Sequence, residues 1–276
     1  MIMAILVCFL SCVTGTLCDT DHPNHGRVVN LITDWSNRGE GIDIPANYTV
    51  AFGDEYITTL SGVSNAIDYL FPAGAYHINL YNSASKITVS GTTATADYTT
   101  FPLGDWKIGW FFTGVQDEYI EQDNDHTITI QMQQQIRQLN LMLELADDAQ
   151  KRITGIEAVL SGIARSINID NGNPVGSAVT VVPVFTKQTD GNYTASVRLM
   201  GIFGDAQTLT VTLSFASGNP STVTLVSDLS GQLAAFNTDK KTPLTLRSIV
   251  LVTPIVEGFT ATIKDWTNSN GNVIAD

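Results

Sequence analysis

The sequence predicts an all-β protein made of two tandem antiparallel β-sandwich domains, with at most one or two short helices. Three observations support this fold class. Short stretches of alternating apolar and polar residues recur along the chain, bounded by Gly, Asn, Asp and Pro. Charged residues make up only 15% of the sequence, whereas an average soluble domain has roughly 25%. Hairpin-type turns such as Asp190-Gly191 indicate antiparallel pairing rather than crossover helices.

The length and charge of the chain limit its size class and its partners. The 276 residues are enough for two compact domains, at a working figure of about 150 residues per domain. The chain carries 14 Lys and Arg against 27 Asp and Glu, which gives a net charge of −13. Because such a chain lacks the basic surface that binds phosphate, we expect no nucleic-acid partner. Its many hydroxyl and amide residues are typical of a secreted β-protein rather than a cytosolic enzyme.

The strand pattern occurs seven times in each half of the chain, and seven strands are enough for one sandwich. The first-half candidates are Val28–Thr33, Tyr48–Phe52, Ala75–Tyr81, Ile87–Ser90, Thr93–Asp97, Lys107–Thr113 and Thr127–Gln133. The second-half candidates are Arg137–Leu145, Ile153–Leu160, Ala178–Lys187, Tyr193–Phe203, Gln207–Phe215, Thr222–Asp228 and Phe259–Trp266.

A change in strand register marks the domain boundary. Apolar residues fall on even positions from Ile128 to Met132 and on odd positions from Leu139 to Leu145. A period-2 pattern cannot change parity within one strand without a bulge or a break. The polar run Gln133-Gln134-Gln135 separates the two patterns. We therefore expect one sandwich over residues 19–135 and a second over residues 136–276.

Two segments are candidates for short helices. Ile153–Arg165 fits both helical and strand spacing, but Gly155 and Gly162 fall inside it, and each would cost a helix roughly 1 kcal/mol relative to Ala. We therefore expect a strand to Leu160, followed by a tight turn or a single helical turn over 161–166. The other candidate is Leu229–Phe236, with Asp228 as its N-cap.

The N-terminus has the pattern of an export signal. Met1 to Leu17 is almost entirely apolar or small, and it is shorter than the about 20 residues that span a bilayer. It reads as the apolar region of a signal peptide, so that residues 1–18 form a leader. No Lys or Arg precedes the apolar run. Either the true start lies upstream or the signal is an unusual one.

All three cysteines lie in this leader, at Cys8, Cys12 and Cys18. A disulfide framework or a cysteine zinc site in the folded body is therefore excluded. Ser11-Cys12 resembles a bacterial lipoprotein cleavage site, because a small residue directly precedes the cysteine. Cys18 and Cys8 follow Leu17 and Val7, which are poor for such cleavage. We expect lipidation at Cys12; the alternative is plain secretion, with Cys12 removed.

No pattern predicts a cofactor or a metal site. His22 and His25 are three residues apart, but the other two histidines lie far away in sequence. The acidic stretch from Asp117 to Asp125, which includes Asp123, could gather Ca²⁺, although it lacks the Gly and the terminal bidentate Glu of a dedicated loop. We interpret this stretch as a charged, solvated connection and leave Ca²⁺ as the alternative.

The sequence predicts a protein that is not an enzyme. Gly62-Val63-Ser64-Asn65-Ala66 nearly matches a nucleophile elbow, but it lacks the second Gly and the strand–turn–helix context. A turn is the better interpretation of this segment. No catalytic residue is assigned.

Trp35 and Trp266 occupy matching contexts, Asp-Trp-Ser-Asn and Asp-Trp-Thr-Asn, each at the end of a strand. One interpretation is an aromatic platform for a ligand. The other, which we favour, is that each ring covers the end of a sandwich core with its N–H near solvent.

Several stretches resemble a known family. Leu70-Phe71-Pro72-Ala73-Gly74-Ala75-Tyr76 is similar to the Leu-x-Pro-x-Gly-x-Tyr turn that enters a strand in transthyretin-like domains. His22 to Arg27 followed by Asp34-Trp35-Ser36 resembles the start of mature Bacteroidales fimbrial subunits. Leu160 to Ala164 and Val197 to Gly201 resemble the second domain of those proteins. Together they resemble the fimbrillin-like family, and within it the lipid-anchored minor or anchor subunits.

The resemblance implies two transthyretin-like sandwiches in a lipid-anchored protein of the outer membrane and cell surface, with a role in fimbrium assembly and attachment. Its partners would be other fimbrial subunits and the outer membrane, the latter through the lipid on Cys12. The alternative is a surface lipoprotein that binds a host glycan or protein. A fimbrial component should show a strand-accepting groove or an unpaired sheet edge, whereas a glycan binder should show an exposed aromatic platform flanked by amides.

The C-terminal tail is poor in apolar residues. After Trp266 it offers Val273 and Ile274 as anchors, and adjacent residues of a strand point to opposite faces. We expect the protein not to donate this tail to a neighbour, and to sit at an end of the assembly.

Overall fold

The structure is a computed structural model that describes residues 29–98, 107–216, 220–255 and 258–269. The described residues form strands and two short helices, which confirms the predicted all-β class. Their first half contains β1 (Val29–Asp34), β2 (Asn47–Phe52), β3 (Tyr56–Ser61), β4 (Ser64–Ile67), β5 (Gly74–Tyr81), β6 (Ile87–Ser90), β7 (Thr93–Ala96), β8 (Phe112–Ile120), β9 (His126–Gln131) and β10 (Gln133–Gln134).

The second half contains β11 (Arg137–Leu145), α1 (Asp147–Arg152), β12 (Ile153–Asn168), β13 (Pro174–Val181), β14 (Thr186–Lys187), β15 (Tyr193–Leu199), β16 (Thr208–Phe215), β17 (Thr222–Asp228), α2 (Ser230–Leu233), β18 (Leu244–Ile255), β19 (Gly258–Ile263) and β20 (Thr267–Asn268).

Two sheets with the strand orders β4-β1-β9 and β10-β8-β5-β2-β3 form the first sandwich. Alternating side chains of both sheets meet in a core that includes Trp35, Tyr48, Phe52, Phe71 and Phe112. Most pairs are antiparallel, as predicted, but β1 pairs with β9 in parallel.

The second sandwich repeats this arrangement. Its sheets have the orders β14-β15-β11-β18-β19 and β17-β16-β12-β7-β6, with β13 added to β12 and β20 to β18. The first strand of the segment, β11, again pairs in parallel with a late strand, β18. The core contains the four alternating leucines of β11, from Leu139 to Leu145, so the odd-position pattern in the sequence does mark the buried face.

One sheet carries strands from both sides of the Gln133–Gln135 run. The hairpin of β6 and β7 pairs with β12 at Ser166–Asn168, although it precedes the run in sequence. A separate apolar cluster lies at this junction and combines Phe111 and Ala94 with Ile136, Ile167 and Met200. The position of the domain boundary stays a prediction, and this shared sheet connects the two segments across it.

Several predicted elements are placed differently in the structure, among them the strand predicted over Ala178–Lys187, which stops at Val181. The strand expected over Lys107–Thr113 is wrong: β8 starts at Phe112. The Asn82 side chain accepts a hydrogen bond from Phe112 N (2.7 Å) and donates one to Trp110 O (2.9 Å), so a side chain occupies backbone groups that a strand would use.

The turn expected after Leu160 is also wrong, because β12 continues to Asn168. The β12–β13 register shifts between Leu160 and Ile163, and Gly162 has a φ of +76°. A bulge thus absorbs the irregularity without ending the strand. The second predicted helix is confirmed as α2. Asp228 lies one residue before the N-cap Leu229, and its Oδ1 accepts a hydrogen bond from Ser230 N at 2.9 Å.

Candidate functional site

The first half of β12 has an open edge. On one side, Ile153–Leu160 pairs with β16. On the other side, β13 pairs with Leu160–Ile167 and no further. Among the described residues no strand covers the second side of Thr154–Val159. Backbone N–H and C=O groups of an uncovered edge are available to another chain.

Pro183 explains why the pairing stops. Continued from the pair of Leu160 and Val181, the register would set Ala158 opposite Pro183. Proline has no N–H to donate and is disfavoured within a ladder, which is consistent with the pairing ending before it. The chain then runs beside β12 without pairing, with Val182 and Val184 exposed and Phe185 buried.

A groove of about 350 Å³ lies between β12 and this unpaired segment. Its lining is mostly apolar: Ile156, Glu157, Ala158, Val159, Val182, Pro183, Val184, Phe185, Thr210 and Thr212. Apolar surface faces solvent along the groove, because three of its valines are partly exposed: Val159 at 41%, Val182 at 38% and Val184 at 43%. An extended peptide with alternating apolar residues would find both backbone partners and apolar walls here. The groove meets the criterion set above for a fimbrial component.

A second site, which is polar, lies at the joint between the two halves, where Gln134 and Gln135 are buried. Gln134 donates hydrogen bonds to Ile136 O (2.7 Å) and Lys240 O (2.6 Å) and accepts one from Gly39 N (2.7 Å). Gln135 donates to Thr113 Oγ1 at 2.8 Å. These amides are fixed structural contacts, because buried polar groups need such partners.

Lys240 lies in a cleft of about 640 Å³ beside this run. Its Nζ donates to Gln135 Oε1 (2.8 Å) and to Gly172 O (3.2 Å). Both acceptors are neutral. Burial of the ammonium lowers the pKa of Lys240 to about 8.

This depressed pKa predicts that stability rises with pH. The ordinary lysine pKa is 10.5, so between pH 8 and 10.5 the unfolded chain binds more protons at this residue than the folded one. We expect the free energy of unfolding to increase by up to about 3 kcal/mol across that window. Urea denaturation at pH 7.5, 9 and 10.5 would measure it. The Lys240→Met variant should lose this increase; a variant that keeps it would contradict the assignment.

His77 links β5 to the segment after β12. Its Nδ1 lies 2.6 Å from Asp117 Oδ1 and its Nε2 lies 3.4 Å from Asp170 Oδ1. The hydrogen bond to Asp117 is the largest of the effects that raise the pKa of His77. The acidic stretch is therefore only partly a connection, since Asp117 lies within β8. Asp123 lies in the turn that follows, with a φ of +59°.

Both tryptophans are buried, at 4% exposure for Trp35 and 5% for Trp266, which confirms the interpretation as core residues. The expected position of their N–H groups near solvent is wrong. Trp35 Nε1 donates to Thr33 Oγ1 at 2.8 Å. Trp266 Nε1 is buried without a hydrogen-bond partner among the described residues.

The remaining candidates divide between two groups. Ser64 lies in β4, a strand and not the expected turn. Cys12, the pair His22 and His25, and the tail beyond Ser269 lie outside the described residues. Within the described ranges, no group of three or more His, Cys, Asp or Glu side chains is arranged to hold a metal ion. No helix in those same ranges is long and apolar enough to cross a membrane.

Solved structures resemble this fold. The fimbrial anchor protein Mfa2 from Porphyromonas gingivalis superposes with a TM-score of 0.60 at 12% identity, over 89% of this chain and 98% of that one. A candidate adhesin from Bacteroides thetaiotaomicron gives 0.58 at 15% identity, over 92% and 100%. A candidate adhesin from Bacteroides ovatus gives 0.58 at 13% identity, over 76% and 85%. At such identities the likeness concerns the fold. No curated protein sequence matches the chain.

A sequence model of the fimbrillin-A associated anchor proteins Mfa1 and Mfa2 matches residues 107–270. This match covers more than half of the chain, and it includes β12 with its open edge and the glutamine run. The resemblance noted in the sequence is thereby confirmed. The chain belongs to the family of fimbrillin-A associated anchor proteins, whose role is structural.

Proposed function

We propose that this protein holds a fimbrium at the outer membrane, with a lipid on Cys12 at one end and the open edge of β12 receiving a fimbrial subunit. The observation that carries the proposal is the groove beside Thr154–Val159. There, a stretch of β12 that is paired on one side only among the described residues meets exposed apolar side chains. A subunit would add an extended segment to this edge and bury the three valines of the groove.

The proposal assigns the protein no catalytic activity. Its partners are the fimbrial subunit at the groove and the membrane at the lipid. Both sandwiches, which we take to be transthyretin-like, serve as a spacer between the two attachments.

Positive charge in the groove should block this attachment. We expect Val159→Lys combined with Val184→Lys to abolish retention of fimbriae on cells, because lysines on an edge strand disfavour pairing and an ammonium would be buried on docking. Electron microscopy and fractionation of cells against medium would measure it.

The matched control is Val226→Lys. Val226 is a valine of β17 in the same sheet, 68% exposed and outside the groove lining. It should retain fimbriae as the unaltered protein does. Retention by the double variant, with the protein folded and on the surface, would contradict the proposal.

Lipid attachment is tested separately. Cys12→Ala should move the protein from the membrane fraction to the medium, because without the acyl chains the leader offers no stable anchor. Cys18→Ala is the control and should stay with the membrane. If the Cys12→Ala protein remains membrane-bound, the lipid attachment proposed here is wrong.

A further inference from the structure

The ammonium of Lys240 has no counter-ion among the described residues. The two hydrogen-bond acceptors at its Nζ are an amide oxygen and a backbone carbonyl. Asp239 precedes it in sequence, but its Oδ1 accepts the N–H groups of Lys241 (3.0 Å) and Thr242 (3.2 Å). Desolvation alone accounts for the lowered pKa of Lys240, with no carboxylate offsetting it. A lysine buried in this way gains most from an anion that enters the site.

The space beside Lys240 can hold such an anion. The cleft volume of about 640 Å³ lies within the 300–1,000 Å³ that is common for small-molecule sites. Its walls come from both halves of the chain, with Asn37 from the first half and the 171–174 segment from the second. Lys241 is exposed at the cleft, and its Nζ lies 3.4 Å from Asn37 Oδ1. It supplies a second positive charge.

Amides dominate the rest of the lining, which is Asn37, Gln133, Gln134, Gln135, Asn171, Asn173 and Asn237 together with Gly172, Pro174, Thr238 and Asp239. Of these amides, those of Asn171 and Asn173 have free capacity, whereas Gln134, Gln135 and Asn237 are engaged in hydrogen bonds within the protein. The Oδ1 of Asn171 accepts Asn173 N at 2.9 Å, while both side chains are exposed and keep amide N–H groups for a ligand. An amide both donates and accepts, which suits a hydroxyl group.

We propose that this cleft binds an acidic saccharide, with the carboxylate of a uronic-acid type sugar on Lys240 and its hydroxyl groups on the free amide groups of Asn171 and Asn173. The chemistry of the lining favours an acidic sugar over a neutral one. No aromatic ring of the described residues lines the cleft, so the stacking platform expected above for a glycan binder is missing, and recognition here would depend on the ligand's charge and hydrogen bonds. This binding is independent of strand docking at β12.

The test uses the full chain with three probes: tetragalacturonate, its neutral methyl ester, and inorganic phosphate. Isothermal titration calorimetry should show tetragalacturonate binding, and binding of the methyl ester at least about tenfold weaker, since a charge-assisted hydrogen bond is lost. Lys240→Met should weaken tetragalacturonate binding by a similar factor. Lys240→Arg, which keeps the charge, should weaken it less, and the exposed Lys264→Met should leave it unchanged.

A second readout covers the case in which Lys240→Met does not fold. In the unaltered protein, NMR of labelled lysine side chains should show the pKa of Lys240 rising from about 8 when tetragalacturonate saturates the cleft. Equal binding of the methyl ester, or phosphate binding as tightly as tetragalacturonate, would overturn the saccharide assignment. So would a Lys240 pKa that does not change on addition of the probe.

Discussion

Replacing Gly162 by alanine is expected to lower the free energy of unfolding by about 3 kcal/mol. Gly162 has a φ of +76°, in the left-handed region, which costs an L-residue roughly 1–2 kcal/mol. A Cβ built there would overlap the Ala206 carbonyl oxygen and lie 3.0 Å from Gln207 Cγ. Such overpacking against backbone adds about 1–3 kcal/mol. Urea denaturation at neutral pH would measure the loss.

Gly204→Ala is the matched control for this variant. Gly204 has almost the same φ, +77°, but nothing lies within 4 Å of the added Cβ. It should therefore show the backbone cost alone, about 1 kcal/mol. Equal losses in the two variants would show that the close approach to Ala206 does not constrain the β12 bulge.

Trp35→Ala should destabilise the first sandwich by about 3–5 kcal/mol, the range for a truncated core aromatic. The ring packs edge-on against Phe112 at a centroid distance of 5.5 Å and against Tyr48 at 6.1 Å. Its loss also leaves Thr33 Oγ1 without its buried donor. Thermal and urea unfolding would both record the change.

Tyr119→Ala is the comparison for this variant, because Tyr119 is an aromatic of the same sandwich that is 61% exposed. It should change stability by less than about 1 kcal/mol. If Trp35→Ala also lowers stability by less than about 1 kcal/mol, the interpretation of Trp35 as an exposed aromatic platform would be favoured instead. The two variants thus distinguish an aromatic ring that packs in the core from one that is exposed on the surface.

Periodicity predicted the strands whose two faces differ. The β11 and β17 bounds match the predicted Arg137–Leu145 and Thr222–Asp228, because apolar residues recur at every second position, from Leu139 to Leu145 and at Val223 and Leu225. β18 was missed, although it has twelve residues. Its sequence from Leu244 to Ile255 contains the run Ile-Val-Leu-Val, so it lacks a clean alternation. A strand with neighbours on both sides and partial cover on both faces gives no period-2 signal.

The burial and hydrogen bonds of the joint could not be predicted from sequence patterns. Three consecutive glutamines suggest a solvated connection, yet Gln134 and Gln135 are buried, and apart from the bond to Ile136 O their partners lie from 22 to 106 positions away. The sequence contains no signal for contacts at that separation. For the same reason Lys240 did not stand out, since nothing nearby in sequence indicates that its ammonium would be buried.

The presence of an unpaired sheet edge could be predicted, but its location in the fold could not. The expectation of an unpaired edge came from the family resemblance, whereas its location depends on one residue. Pro183 lies within the apolar run Val181–Phe185 and marks the site, because proline is restricted to strand edges and ends. The predicted strand over Ala178–Lys187 spanned this proline and concealed the break.

Site-specific photo-crosslinking in living cells tests most directly whether a fimbrial subunit docks at the open edge of β12. A photoreactive phenylalanine placed at Val159 or Val184 should crosslink to a fimbrial subunit, because a docked strand would lie against both side chains. The same group at Val226, outside the groove lining, should give no such product. Mass spectrometry of the adduct should locate the subunit contact in an extended terminal segment. Crosslinking at Val226 but not at Val159 or Val184 would contradict docking at the open edge of β12.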